Sequence, residues 1–287
     1  MAPGPALPVV LPGPVELVLA IAGYAPPPSL ATLSRANSLF RAIAEECLYP
    51  RVVLDQHNFT QGFCWCRTMM ASTRLALKVH SLVFDLHVML ESDATKALLA
   101  EELVRALRVC RDLTRLEVGY NFCDIPSTLG EFLGGGCPLR LTHLHLNSWE
   151  HITDLDAVWI EQAEITSLVI PCYEEHPDLG AVNLLPLTHI YAPLRAILPS
   201  DKTSWRLVHA VVSTIIPEED EDPALPSFVS LGSYAATLTV LAVETHGPPG
   251  LTIYALLCLI ADSLPNLTTL SYDETMGDGE ERADGAI

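Results

Sequence analysis

The feature that most restricts the fold is a six-residue cadence that returns through most of the chain. Residues 113–118 read LTRLEV, with apolar side chains at the first, fourth and sixth places and polar ones between. The same frame is found as VHSLVF from residue 79, LTHLHL from 141, ITSLVI from 165, LTHIYA from 187, LVHAVV from 207, LTVLAV from 238 and LTTLSY from 267. Alternation of this kind marks a strand with one buried face. The fourth and sixth side chains therefore enter a core, and the third and fifth stand on the opposite face. Measured at the fourth place, successive copies lie 34, 28, 24, 22, 20, 31 and 29 residues apart. Units this short have to stack on one another to bury their apolar side chains.

Between the strands the pattern changes period. Residues 96–107 carry apolar side chains at helical spacing, and residues 251–264 form a second, more thoroughly apolar helix. Strand followed by helix, repeated along the chain, places parallel strands on one side and helices on the other. The frame resembles the leucine-rich repeat, whose period of about 20–29 residues takes in most of the observed steps. The copy at 113 also continues to Asn121 at its ninth place, which reads as a cap for a local turn. The expected fold class is α/β: a small N-terminal helical module followed by an irregular solenoid over residues 79–275, strands concave and helices convex. A doubly wound parallel sheet is the competing architecture, but it calls for longer, uniformly apolar strands and a glycine-rich first turn. The glycines at 134–136 come after a predicted helix instead of opening one.

Residues 1–13 form a proline-rich arm. Pro14 suits a first helical turn, and Leu17, Ala20, Ile21 and Tyr24 come after it at helical spacing. The prolines at 26–28 stop this helix. Ser29 is placed to cap a second one carrying Leu30 and Leu33, and a third runs through Leu39, Phe40, Ile43, Ala44, Cys47 and Leu48. Three helices in so short a span bury too little surface to stand alone, so the module, taken as residues 14–54, leans on the next segment of the chain or on a partner.

This stretch resembles an F-box. The resemblance is carried by the run from Gly13 to Leu17, then Ile21, Pro28, Ser29, Leu30, Leu33, the run from Ala36 to Arg41, and the run from Leu48 to Val52. Gly13 stands at the family's opening leucine place, Ala36 at the place of a larger valine, and Phe40 at a common tryptophan place. The resemblance implies docking to the Skp adaptor of a cullin-RING ubiquitin ligase. Pro14, Leu17, Ile21, Leu30, Leu33 and Phe40 would form the adaptor-facing and module-core set. A helical cap over the open end of a repeat array demands the same residue types, because terminal repeats have to hide an exposed core.

Residues 55–78 read as a poorly patterned connector. Cys64 and Cys66 flank Trp65 there, but a structural zinc site needs four ligands and only His57 and His80 lie near in sequence. No metal or other cofactor is expected. On the strand face, the third and fifth places collect Arg115, Glu117, His143, His145, His189, Tyr191 and His209 as candidate partner-binding residues. With strands about 4.8 Å apart, His143 and His189 fall roughly 10 Å from each other, too far to chelate one ion directly.

Thirty-five acidic side chains against 16 basic ones leave a formal charge of -19. That field repels nucleic acid and anionic lipid and favours a basic partner surface. The acidic run at 218–222 adds to it, and the tail 276–287 is acidic and expected to be disordered. Eight scattered cysteines in a chain this long read as reduced thiols of a cytoplasmic or nuclear protein. The apolar run of residues 251–261 is too short to span a bilayer, and no cleaved leader is expected. There is no nucleophile elbow, phosphate-binding loop or paired zinc motif. The expectation is a non-enzymatic adaptor in which the helices dock a Skp-type subunit and the repeats hold a protein substrate. The alternatives are a free-standing scaffold whose helices are only a cap and, third, a hydrolase on an irregular α/β fold.

Overall fold

A computed structural model describes residues 15–54, 59–84, 93–119, 125–146, 155–170, 186–197, 205–215, 228–246 and 253–275. It begins with α1 (Val15–Ala22), α2 (Pro27–Leu33) and α3 (Ser38–Leu48). The proline run that stops α1 also opens α2, because Pro27 and Pro28 occupy the first turn, where an amide donor would have no helical partner. Ser29 thus lies inside α2 and is not its cap. Asn37 caps α3, its Oδ1 accepting from the Phe40 N–H at 2.8 Å. Ala22, Leu30, Ile43 and Ala44 form a small core of their own, with Val18, Leu33, Phe40, Cys47 and Leu48 packed around it.

The chain then alternates strand and helix: β1 (Arg51–Leu54), α4 (Phe59–Ala71), α5 (Thr73–Ala76), β2 (Ser81–Phe84), α6 (Asp93–Leu107), β3 (Arg115–Val118), α7 (Ile125–Gly134), β4 (His143–Leu146), α8 (Leu155–Glu161) and β5 (Ser167–Val169). β6 (His189–Pro193), β7 (His209–Ile215) and β8 (Val240–His246) come next, then α9 (Ile253–Ser263) and β9 (Thr269–Thr275). These nine strands make one sheet, every pairing parallel and the spatial order identical to the chain order. β1 and β9 remain as its two edges, so the sheet is not a closed barrel. Because the order never reverses, there is no switch point of the kind a doubly wound sheet uses for its ligand. Consecutive helices pack together, α4 on α6, α6 on α7 and α7 on α8.

All eight copies of the cadence are strands. Their fourth and sixth places supply the core: Leu82, Phe84, Leu116, Val118, Leu144, Leu146, Leu168, Ile170, Ile190, Ala192, Ala210, Val212, Leu241 and Val243 are all buried. Leu270 and Tyr272, on the edge strand β9, are only half-buried. The segment 55–78 is not an unpatterned connector. It contains α4 and α5, and Trp65, Cys66, Met69 and Ala76 belong to the main core. Their helical spacing is diluted in the sequence by Gly62, Cys64 and Thr68. Val52 and Leu54 of β1 also join that core, in register with Leu82 and Phe84, so β1 belongs to the sheet and not to the helical module.

The glycine run ends α7. A Cβ on Gly134 would meet the Ala157 Cβ of α8 at 2.9 Å, and Gly136 holds φ +76, so these glycines admit a close helix neighbour and a sharp exit.

A second regularity lies at the entry to each strand. The Thr114 carbonyl accepts the N–H groups of Thr142 (2.8 Å) and His143 (3.0 Å) and the Thr142 hydroxyl (3.2 Å). The Thr142 carbonyl takes the same three donors from Thr166 and Ser167, with the hydroxyl at 3.1 Å. The Thr166 carbonyl does so from Thr188 and His189, with the hydroxyl at 3.2 Å. Thr114, Thr239 and Thr268 extend the ladder to the carbonyls of His80, Val208 and Thr239. Val208, at the same place, has no hydroxyl to give to Thr188. Replacing Thr166 by the near-isosteric Val leaves the Thr142 carbonyl with two donors. The expected cost, read in urea unfolding, is therefore at the low end for a hydrogen bond, about 0.5–1 kcal/mol.

Candidate functional site

The strand face is built by register. Arg51, Ser81, Arg115, His143, Ser167, His189, His209, Val240 and Thr269 lie side by side across the sheet. The next outward row contains Glu117, His145, Val169, Tyr191 and Val211. Arg115, His143 and His189 are exposed, while Glu117, His145, Tyr191 and His209 are half-buried. All seven predicted face residues are thus on one surface, and the structure groups them further. The Arg115 guanidinium lies 3.6 Å and His145 Nδ1 lies 3.4 Å from the Glu117 carboxylate. The His189 and His209 rings meet edge to face, with centroids 5.6 Å apart and planes at 70°.

Two kinds of contributor lie beyond the predicted set, the first where β7 to β9 run past the sixth place. Glu244 lies in register with Asp273 and Ser213, and its Oε2 accepts from the Tyr191 hydroxyl at 2.7 Å. A six-residue frame ends one position short of Glu244. The threonines at the second place are the other contributors. Thr142 Oγ1 and Thr188 Oγ1 each lie 2.9 Å from the Nδ1 of the adjoining histidine.

Partial burial holds the His143 imidazole below its ordinary value of 6.5, assisted by the Arg115 guanidinium and then by His189. His209 is lowered for the same first reason, with His189 again adding to it. Both rings are therefore neutral at pH 7. Among the described residues no group of three or more His, Cys, Asp and Glu side chains is placed to hold a metal ion. The Cys66 and Cys110 thiols are buried and pushed up to about 12, so they stay protonated.

The second surface is on the N-terminal helices. Leu30 is buried, and Leu33 and Phe40 pack on the small core. Leu17 is 56% exposed and Ile21 63%, and with Tyr24 they leave one side of α1 apolar and open, while Val15 and Leu19, also exposed, stand across the helix from them. The helix buries Ala22 and half-buries Val18 in their place. Pro14 lies outside the described residues, as do Asn121, the acidic run 218–222 and the tail 276–287.

The module is tied to the sheet through α3. Glu45, itself buried, forms a two-point ion pair with Arg74, and Glu46 pairs with Lys78. The bond from Arg74 holds the Glu45 carboxyl below its ordinary 4.5, against the opposing pull of burial. No helix among the described residues is long and apolar enough to cross a membrane. No family model matches this chain, and no curated protein resembles it at a significant level.

These charges have two measurable consequences. In an NMR titration, Arg115→Gln raises the His143 midpoint by removing a cation that opposes protonation and leaves His209 in place, whereas His189→Gln raises both. Glu45 contributes stability above pH 4.5 that is lost as the pH falls through its lowered value. In Arg74→Gln the carboxyl loses that hold, so acid unfolding, monitored by circular dichroism, sets in at higher pH.

Proposed function

We propose that the chain is a protein-recruiting adaptor of a ubiquitin ligase, with α1–α3 resembling an F-box that docks a Skp-type subunit and thereby a cullin. The strand-and-helix array, read as an irregular leucine-rich-repeat solenoid, holds a protein substrate on its strand face. The observation that carries this reading is the open apolar side of α1. Val15, Leu17, Leu19, Ile21 and Tyr24 are exposed on a module whose own core is already filled by Ala22, Leu30, Ile43 and Ala44. Of these, Leu17, Ile21 and Tyr24, spaced by four and three residues, share one side, and an open apolar side on a small helical unit is suited to a partner, not to water. The strand face supports the second half of the reading, since it spreads polar groups over a broad surface.

The alternative reading is a scaffold whose helices only cap the array. It is favoured by the Glu45–Arg74 and Glu46–Lys78 pairs and by Tyr49, which packs on the main core from the end of α3. A cap, however, accounts for the side of α3 that meets the sheet and not for the side of α1 that faces away from the small core.

Co-expression with a Skp adaptor and then size exclusion separates the two. The wild type co-elutes and Leu17→Asp does not, with an unchanged thermal midpoint because Leu17 is exposed. Phe40→Ala is expected to lower the midpoint as well, since Phe40 packs on the small core. A wild type that elutes alone removes the ligase reading and leaves the scaffold.

A further inference from the structure

The formal charge of -19 is not spread along the chain: residues 141–287 carry 22 acidic and 4 basic side chains, leaving 13 and 12 for residues 1–140. The strands repeat that division. From β4 to β9 no strand contains a lysine or an arginine, while Glu244 and Asp273 stand on the outward side of β8 and β9. The two cations of the face, Arg51 and Arg115, are confined to β1 and β3.

The threonine ladder decides what the imidazoles offer. Thr142 Oγ1 donates its single proton to the Thr114 carbonyl, and Thr188 Oγ1 donates its own to the Thr166 carbonyl. With that proton on the carbonyl, each hydroxyl oxygen accepts at the 2.9 Å contact with the next residue. This arrangement goes with the Nδ1–H tautomer of His143 and His189, the tautomer on which the proposal below is built. In the neutral ring the proton on Nδ1 leaves a lone pair on Nε2. Two exposed side chains of the same row are thereby set as hydrogen-bond acceptors, among strands that also hold carboxylates and contain no lysine or arginine.

We propose that the β4–β9 part of the strand face docks a lysine- and arginine-rich polypeptide segment, received by Nε2 of His143 and His189 and by the carboxylates of Glu244 and Asp273. The inference rests on the proposed function in taking the strand face as the side that holds a protein. A cationic segment finds acceptors where a neutral one finds nothing matched to it, and an anionic one meets the field of residues 141–287. The groups that face these imidazoles are Arg115 and Glu117 on β3, His145 on β4, Tyr191 on β6, His209 on β7, Glu244 on β8 and Asp273 on β9. Acid opposes docking, because protonation of His143 turns its Nε2 acceptor into a donor and places imidazolium charge against the incoming cation. The lowered value of His143 favours its neutral form at pH 7.

The test uses the full chain and a labelled oligolysine peptide, with oligoglutamate and duplex DNA as rival probes, read by fluorescence anisotropy at constant salt. Oligolysine binds, and His143→Ala/His189→Ala and Glu244→Gln/Asp273→Asn each weaken it about tenfold. Glu161→Gln/Glu164→Gln, on the helix side, changes it by less than about twofold. Lowering the pH from about 7.5 to about 5.5 weakens the wild type but not the histidine pair variant. Nitrogen-15 shifts place the proton of both rings on Nδ1, and Thr142→Val and Thr188→Val abolish that preference without unfolding the chain. Tighter binding of oligoglutamate or DNA, equal loss in the face and helix-side variants, or rings protonated on Nε2 overturns the proposal. Adaptor co-elution is read on α1, so loss of oligolysine binding with co-elution intact removes only this inference. Binding without co-elution leaves it standing while the ligase reading falls.

Discussion

Everything in the array depends on one carbonyl per unit. At the entry of each successive strand a single backbone oxygen accepts two amide protons from the next unit, and at six of these junctions a threonine hydroxyl as well. A parallel sheet has no hairpin turn to set its register, and a slip of one residue would exchange the buried and the outward side chains. Converging donors at the first rung fix the phase before the short strands begin. With the phase set, the leucines of the fourth place meet across the sheet, and the charged and imidazole groups of the third and fifth places are aligned by the same rungs.

The helical module obeys a different constraint. Its small core is separate from the main one, and it is joined to the rest by Glu45 with Arg74, Glu46 with Lys78, and the packing of Tyr49. The charged face of α3 is therefore spent inward. The apolar side of α1 is left outward, an inversion of the usual amphipathic arrangement in which the charged side meets water.

Much of this was legible in the sequence, for reasons that can be named residue by residue. The strands could be read because period-two alternation survives even in the weak LVHAVV copy, whose Ala210 and Val212 are buried like the leucines elsewhere. The direction of α1 could not, because Val15, Leu17, Val18, Leu19 and Ile21 are apolar on every side, and spacing cannot choose between Leu17 with Ile21 and Val18 with Ala22. α4 was hidden by Gly62, Cys64 and Thr68 among its core residues. Pro28 misled in another way, since proline stops one helix as readily as it starts the next. The threonines were visible at the second place of six of the eight copies but counted only as polar spacers. Their role depends on a carbonyl from the neighbouring unit, a contact between residues more than twenty positions apart that a local pattern does not contain.

The three last strands are longer than the rest, seven residues each where β1 to β4 have four. Their extra length carries Glu244 and Asp273 beyond the rows of Arg115, His143, His145, His189 and His209, and the Tyr191 hydroxyl leans onto Glu244 across the step. The face is consequently a surface with a sense: guanidinium at the end nearest the helical module, carboxylate at the far corner. On the proposed docking of a cationic segment, this polarity favours one direction of the segment across the strands over the other.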